Sequence, residues 1–190
     1  MTFVAPVKDM LFNIEHLSGW DRIVGLSQYS ALDLEDAAAV LEELGRFCAE
    51  EIAPLNAPGD QVGSQFEDGR VVLPDGFAEA YGQFVEMGWQ SLPHPEEFGG
   101  QGLPRCVGAA ATEVLNAANI SFALCPLLTD GAVEALLPAG SEATKATYLE
   151  NLVSGKWTGT MNLTEPQAGS DLALLRSRAE QQQDGSYRIS

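Results

Sequence analysis

The sequence is short of basic side chains and of cysteine. Its 190 residues contain 10 Lys and Arg against 27 Asp and Glu, which gives a net charge of −17. A chain this acidic is poorly suited to bind nucleic acid or an anionic membrane through its overall field. Cys48, Cys106 and Cys125 form no Cys-x-x-Cys pair, so neither a zinc site nor a redox dithiol is predicted. Reduced thiols, with no signal-peptide pattern at the N-terminus, favour a cytoplasmic protein.

Long hydrophobic runs are also missing. No stretch approaches about 18 uninterrupted apolar residues, so no membrane span is expected. Hydrophobic residues still make up 45% of the chain and charged residues 19%, which is typical of a globular protein. The acidic residues are unevenly spread, because residues 1–100 carry a net charge of −14 and residues 101–190 a net charge of −3. An anionic ligand should therefore prefer the second half.

Apolar residues recur at helical spacing through most of the first 156 residues. The clearest helix runs from Leu34 to about Ala53, after a capping Asp33 or Asp36 and before Pro54. Further helices are predicted from about 74 to 88 and at 105–118, 121–127, 130–137 and 142–153, with loops at 56–73 and 89–104. Residues 1–33 are predicted to be an extension, with a short helix after Lys8, that packs on the body of the protein or on a second subunit.

The hydrophobic period changes from 3.6 to 2 after Gly155. Residues 157–163 alternate between apolar and polar positions and are predicted to form a strand. Residues 175–179 and 187–189 also alternate, around a turn at Asp184 and Gly185, which predicts a hairpin. Three short strands are too few for a stable sheet, so we expect a longer protein or a missing remainder of the sheet.

These patterns predict a mainly α chain in three parts. An N-terminal extension at 1–33 is followed by a helical domain at 34–156. The first strands of an incomplete β domain then occupy 157–190.

A loop of chemical interest follows the predicted strand, within Met161–Leu172. Gly169 permits close approach of the backbone, and Ser170 and Asp171 offer a hydroxyl and a carboxylate. Loops of this kind after a strand present amide groups to phosphate or to the edge of a heteroaromatic ring. An Asp- and Ser-capped turn between two strands explains the same residues equally well.

Three ordered motifs resemble the acyl-CoA dehydrogenase family, the flavin enzymes that introduce an α,β double bond into acyl-CoA thioesters. Thr164-Glu-Pro-Gln-Ala-Gly-Ser-Asp171 is similar to the family signature. Pro95-Glu-Glu-Phe-Gly-Gly-Gln-Gly-Leu-Pro104 resembles a glycine-rich loop of its helical domain, and residues 152–160 resemble the start of its middle β-barrel domain. Residues 3–12 resemble the extension of larger bacterial members, the 3-methylmercaptopropionyl-CoA dehydrogenases among them.

The resemblance implies FAD as cofactor and an acyl-CoA thioester as substrate. The residues implied to bind FAD are Met161, Asn162, Leu163, Thr164, Gly169 and Ser170. Leu163 and Thr164 would meet the isoalloxazine ring through backbone and hydroxyl hydrogen bonds. Ser170 would lie near the FAD pyrophosphate and would also contact the CoA thioester, while Asp171 would shape the loop.

The family's reaction takes an α proton to a carboxylate and a β hydride to flavin N5. Glu165 is not the expected base, because the family's base lies in a C-terminal helical domain that these 190 residues do not include. No catalytic residue is therefore assigned here, and the chain alone is expected to be inactive. The resemblance also implies a role in fatty acid metabolism, electron-transfer flavoprotein as electron acceptor, and a homo-oligomer, either dimer or tetramer.

Two other functions stay open. The chain could belong to a non-catalytic relative that binds a CoA thioester or a partner, or to an acyl-CoA oxidase, in which oxygen accepts the electrons. His16 and His94, the only histidines, are expected in surface or loop positions rather than in acid–base chemistry. Trp157 is interpreted first as a core or interface anchor.

Overall fold

The computed structural model describes residues 3–190, which form a helical unit that ends at Thr160 and a small unit from Met161 to Ser190. The described part of the helical unit contains α1 (Val7–Leu17), α2 (Trp20–Val24), α3 (Leu34–Phe47), α4 (Asn56–Val62), α5 (Phe77–Glu86), α6 (Arg105–Ala118), α7 (Ile120–Ala139) and α8 (Glu142–Val153). It also contains a hairpin of β1 (Gln65–Glu67) and β2 (Arg70–Val72). The predicted mainly helical class is confirmed.

The N-terminal extension is an integral part of the helical bundle. The short helix predicted after Lys8 is α1, which begins at Val7 and packs on α3 and α6. Met10 and Ile14 form its buried face, and Trp20 at the start of α2 is buried in the same core. These three residues therefore pack on the body of this chain, whereas Phe12 and Leu17 of the same extension are exposed.

The start of α3 is fixed by a reciprocal cap. The Asp36 amide donates to the Asp33 carboxylate, and the Asp33 amide donates to the Asp36 carboxylate, both at 2.9 Å. Such a capping box satisfies two amides that a helix start leaves unpaired. Leu41 and Leu44 on its inner face are buried against α6. Both of the predicted capping residues are thus used.

The end of α3 widens into a single π-helical turn at Cys48–Ile52. The Ala53 amide donates to the Cys48 carbonyl, five residues back instead of four. Pro54 explains the widening, because it has no amide hydrogen and its ring would clash with the carbonyl of Glu50 in an α-helix. The predicted helix therefore reaches Ala53 only by changing its hydrogen-bond pattern.

The loop predicted at 56–73 is wrong in two places. Residues 56–62 form α4, and β1 pairs antiparallel with β2, with Phe66 opposite Val71. Gly63 and Gly69 have positive φ, so these glycines end the helix and make the hairpin turn rather than breaking all structure. Every hairpin residue is solvent-exposed, so the two strands lack the alternating burial pattern from which a strand can be predicted.

Two helices predicted at 121–127 and 130–137 are one helix, α7. Pro126 lies inside it and removes one backbone hydrogen bond, yet the helix continues. Phe122, Thr129 and Val133 are buried along the same side as Pro126, so packing against α6 and α8 offsets the cost of the proline. The Asn119 side chain accepts from the Phe122 amide and caps its start.

By length and composition alone, α7 could cross a membrane, and it is the one helix within residues 3–190 of which this is true. An apolar helix in the core of a globular protein meets the same criterion. Asp130 and Glu134 of α7 hydrogen-bond to His94 and Arg105 of the same bundle. Its large exposed apolar residues are Ile120, Leu124 and Leu127.

The second unit contains a hairpin around the predicted turn, but its first strand begins at Ala179, where the predicted strand at 175–179 ends. The strand predicted at 157–163 is absent. β3 (Ala179–Gln181) pairs antiparallel with β4 (Tyr187–Ile189), with Ala179 opposite Ile189. Asp184 accepts from the Ser186 amide and hydroxyl in the turn. Residues 157–163, predicted as a strand, form no strand because no other segment among residues 3–190 pairs with them. They are also not helical.

Candidate functional site

The family-like segment folds into a tight turn in the second unit. The Glu165 amide donates to the Ala168 carbonyl at 2.9 Å, and the Ala168 amide donates back to the Glu165 carbonyl at 3.0 Å. Pro166 lies at the second position of this four-residue turn, where its fixed φ is favourable. The bridge places Thr164 and Gly169 on either side of the base of the turn.

The Glu165 carboxylate closes the loop from inside the same unit. It accepts hydrogen bonds from the backbone amides of Arg176 and Ser177, both at 2.9 Å, and from the Gln167 side chain. Hydrogen bonding by Ser177 and by the Arg176 amide lowers the pKa of Glu165 to about 2. Such a carboxylate stays ionised and is used to hold the loop together, as the predicted role of Glu165 in the turn requires.

Asp171 has a similar structural task. Its side chain accepts from the Ala173 amide at 3.1 Å and caps the 3₁₀ turn Leu172–Leu174. Because that oxygen is used inside the loop, Asp171 shapes the loop as predicted. The alternative interpretation of the segment, an Asp-capped turn, therefore describes these two acidic residues correctly.

The remaining residues of the turn face outward. Thr164, Gly169 and Ser170 are exposed, and neither hydroxyl makes a hydrogen bond to any residue in the range 3–190. A Cβ built on Gly169 would meet nothing within 4 Å, so the fold of this chain does not itself require glycine there. The turn thus leaves two hydroxyls and an open glycine free for something outside the chain.

The segment before the turn is also exposed. Met161 is 61% exposed and Leu163 is 37% exposed, and Asn162 is solvent-exposed as well. Apolar side chains held this open on irregular backbone are suited to being covered by a ligand or by further protein. All six predicted FAD-binding residues therefore lie in one exposed stretch, and their contact with FAD stays a prediction.

The chain enters this stretch from a tightly packed position on α7. The Gly159 amide donates to the Thr129 hydroxyl at 3.1 Å, and the Trp157 amide donates to the Asn151 carbonyl at 3.0 Å. Trp157 itself is 47% exposed, with its ring centroid 6.0 Å from that of Tyr148. It is therefore not a core anchor in this chain, while the alternative of an interface anchor stays a prediction.

A buried polar cluster lies next to this contact. Asp130 accepts from the Gln90 side chain at 2.6 Å and from His94 Nε2 at 2.8 Å. His94 is only 1% exposed, so the expected surface position is wrong, although it does lie in the glycine-rich loop. The loop is folded by its own backbone hydrogen bonds, such as Gly102 amide to His94 carbonyl, and this buries the ring.

Sequence patterns did not reveal Thr129 or Asp130 as contact residues. Their partners lie 30 and 36 residues away, and period analysis detects only local spacing. One signal was available, because Thr129 and Asp130 are adjacent polar residues in a mostly apolar helix. A polar residue on a buried helix face needs a partner, so such a pair marks a long-range contact.

A family profile and several curated proteins match the chain in sequence. Residues 34–156 match the profile described as "Acyl-CoA dehydrogenase, N-terminal domain". The chain is 60% identical over its full length to 3-methylmercaptopropionyl-CoA dehydrogenase of Ruegeria pomeroyi and covers 32% of that protein. It is 32% identical to a broad-specificity linear acyl-CoA dehydrogenase of Mycobacterium tuberculosis, over 96% of this chain and 30% of that protein. It thus spans about a third of the length of these curated relatives.

Solved structures share the fold. Butyryl-CoA dehydrogenase of Megasphaera elsdenii matches with a TM-score of 0.67 at 24% identity, over 80% of this chain and 38% of that one. An acyl-CoA dehydrogenase of Bacillus anthracis, solved with FAD, matches with a TM-score of 0.67 at 23% identity, over 84% of this chain and 26% of that one.

Proposed function

Because the chain belongs to the acyl-CoA dehydrogenase family, we propose that it is the front part of an FAD-dependent enzyme that dehydrogenates an acyl-CoA thioester between Cα and Cβ. The observation that carries the proposal is the exposed turn at 164–170. Its internal hydrogen bonds are complete through Glu165 and Asp171, while its two hydroxyls and its glycine face outward.

The turn is suited to hold part of FAD. The open space at Gly169, which a Cβ would enter, would let a flat ring or a phosphate approach the backbone closely. The Thr164 hydroxyl and the Leu163 backbone would bind the isoalloxazine ring, and Met161 and Asn162 would line its side. Ser170 would lie near the FAD pyrophosphate and would contact the CoA end of the substrate.

The division of chemistry follows from these positions. When bound, FAD supplies the acceptor for the β hydride. The residues of this chain orient the cofactor and the substrate and enclose them. As the α proton leaves, hydrogen bonds to the thioester oxygen must stabilise the negative charge that develops there. A catalytic base for such a weak acid needs a raised pKa, whereas the pKa of Glu165 is lowered to about 2. We therefore propose that the base comes from outside these 190 residues.

The partners follow from the same proposal. An acyl-CoA ester is the substrate, within fatty acid metabolism, and electron-transfer flavoprotein is the electron acceptor. We also propose a homo-oligomeric, cytoplasmic enzyme. The chain is 60% identical to a protein named 3-methylmercaptopropionyl-CoA dehydrogenase. This supports a CoA ester of a small acyl group that carries a thioether as the first substrate to assay.

The test uses the full-length protein that carries this chain. Thr164→Val removes one hydroxyl at nearly constant volume, and a buried polar group left unsatisfied costs about 1–3 kcal/mol. We expect FAD affinity or the rate of flavin reduction to fall about tenfold or more. Ser170→Ala should weaken FAD or acyl-CoA binding by a smaller factor. FAD titration of the apo-protein and anaerobic stopped-flow bleaching by acyl-CoA measure both effects.

Two variants serve as controls. Thr147→Val makes the same threonine change at an exposed position of α8, where the hydroxyl only donates to the Ala143 carbonyl. Ser186→Ala makes the same serine change in the β3–β4 turn. If Thr164→Val and Ser170→Ala behave like these controls in both assays, the turn binds neither FAD nor substrate. Reduced flavin that reacts with oxygen as fast as with electron-transfer flavoprotein would instead indicate an oxidase.

A further inference from the structure

Thr129 holds the chain where it leaves the helical unit. Its hydroxyl donates to the Cys125 carbonyl at 2.9 Å, one turn earlier on α7, and accepts from the Gly159 amide at 3.1 Å. The residue is fully buried. A hydroxyl has one hydrogen to donate, so with Cys125 as its acceptor the oxygen lone pairs face Gly159.

The backbone at Gly159 lies against α7 without room for a side chain. A Cβ at this position would lie 2.6 Å from the Ala132 Cβ and 3.1 Å from the Leu128 carbonyl oxygen. Contacts below about 3 Å do not occur between real carbon atoms, so only glycine permits this approach. Its φ is not in the left-handed region, which means that space rather than backbone conformation selects glycine here.

The helix surface that carries Thr129 is itself fixed. Asp130, the next residue, accepts hydrogen bonds from Gln90 and His94, both buried. Arg105 contacts both carboxylate oxygens of Glu134, one turn later, at 2.7 Å. Moving α7 at Thr129 would disturb the hydrogen bonds from buried Gln90 and His94 to Asp130, so Thr129 is a firm attachment point.

We propose that Thr129 is a positioning residue for the flavin-binding segment, acting through the amide of Gly159. The inference rests on the proposed function, in which that segment begins at Met161, two residues after Gly159. Residues 161–164 are exposed and irregular, and their ordering opposes binding unless something limits their freedom beforehand. Attachment at Gly159 fixes one end of the segment before FAD arrives.

The test compares Thr129→Val with Thr129→Ser in the full-length protein. Valine keeps the volume and removes the hydroxyl, whereas serine keeps the hydroxyl. For the valine variant we expect faster amide exchange across 157–163 in the apo-protein and FAD binding weakened about tenfold in a titration. Thr129→Ser should restore both towards the wild-type values.

A matched control is Thr112→Val on α6. That hydroxyl donates to its own helix, to the Gly108 carbonyl at 3.0 Å, and to no other described residue. It tests the loss of one threonine hydroxyl from a helix of the same bundle. We expect wild-type exchange across 157–163 and wild-type FAD affinity.

A second pair of variants keeps the test decisive if Thr129→Val does not fold. Gly159→Ala should displace the segment and weaken FAD binding, and adding Ala132→Gly should restore part of the affinity by removing the nearest atom. Unchanged FAD affinity in Thr129→Val, or in Gly159→Ala where the first variant does not fold, overturns the positioning role. Wild-type protein that does not bind FAD overturns the proposed function and the positioning role together, whereas the exchange data still report the attachment separately.

Discussion

At the scale of single residues, Glu165 shows how a carboxylate beside a glycine-rich turn can hold a loop together. Its position invites assignment as an acid or base, which the family resemblance already argued against. Two backbone amides, of Arg176 and Ser177, point at its carboxylate from eleven and twelve residues further along. The negative charge of Glu165 has a structural role, because it closes a loop that has almost no buried apolar surface.

The lowered pKa of Glu165 leads to a pH prediction. Its ordinary value is 4.5 and its value in the fold is about 2, so the stabilising contacts are fully present above pH 4.5 and are lost only as the pH falls towards 2. In NMR spectra, the amide proton shifts of Arg176 and Ser177 should stay constant between pH 6 and pH 3.5. In Glu165→Gln the same shifts should differ from the wild-type values at every pH, because a glutamine amide oxygen accepts hydrogen bonds more weakly than a carboxylate.

A midpoint near 4.5 for those two amides in the wild-type protein would contradict the prediction. It would mean that the carboxylate is free in solution. The loop would then owe its shape to the backbone bridge between Glu165 and Ala168 alone.

At the scale of elements, the glycine-rich loop at 89–104 is the best example of a prediction that the structure confirms. Its prolines and glycines predicted an ordered irregular segment, and the structure contains such a segment, tied by bonds such as Leu103 amide to Leu92 carbonyl. Two different reasons select glycine in this loop. Gly99 has a positive φ of 83°, whereas Gly100 is chosen by space, because a Cβ there would lie 2.0 Å from the His94 carbonyl oxygen.

Gly100→Ala should therefore be strongly destabilising. Backbone atoms cannot yield as a flexible side chain can, and we expect a loss of about 3 kcal/mol in the free energy of unfolding. Urea denaturation followed by circular dichroism measures it. The control is Gly82→Ala within α5, where nothing lies within 4 Å of the added atom.

For the control we expect a gain of about 0.5–1 kcal/mol, because alanine is the better helix former. Equal effects of the two substitutions would show that loop packing around His94 does not limit stability.

Helices with a clear apolar stripe and a cap were predictable, and elements defined by distant partners were not. Asp33 and Ser141 marked the starts of α3 and α8 correctly, because a cap is a local interaction. A break was predicted between residues 127 and 130 of α7, but the helix continues because its buried side packs on two neighbours. The strand at 157–163 failed for the opposite reason, since alternation alone cannot supply a pairing partner.

The candidate site divides in the same way. The turn and the capping role of Asp171 follow from residues within a few positions of one another. The attachment of Gly159 to Thr129 joins residues 30 positions apart, through a hydroxyl whose need for a partner the sequence only implies. Contacts made by the exposed hydroxyls of Thr164 and Ser170 lie outside the chain altogether.

At the scale of the whole molecule, the chain divides into a well-packed helical unit and a small unit with every residue after Ala168 exposed. A two-stranded hairpin is marginal by itself in water. The 190 residues alone should therefore hold FAD weakly and show no acyl-CoA dehydrogenase turnover. A dye-reduction assay with acyl-CoA checks this, with the full-length protein as positive control, and measurable turnover by the short chain would refute it.

The π-helical turn at Cys48–Ile52 has a consequence for insertions and deletions in this protein. A wide turn holds one residue more than an α-helix needs, and each residue rotates a helix by about 100°. Deleting one residue there would remove the surplus and leave the flanking segments facing the same directions, whereas a deletion in the middle of α3 would turn Leu41 and Leu44 out of register with each other. Because Pro54 would then clash with the carbonyl four residues before it, a one-residue gap here in an alignment of relatives should be accompanied by loss of the proline.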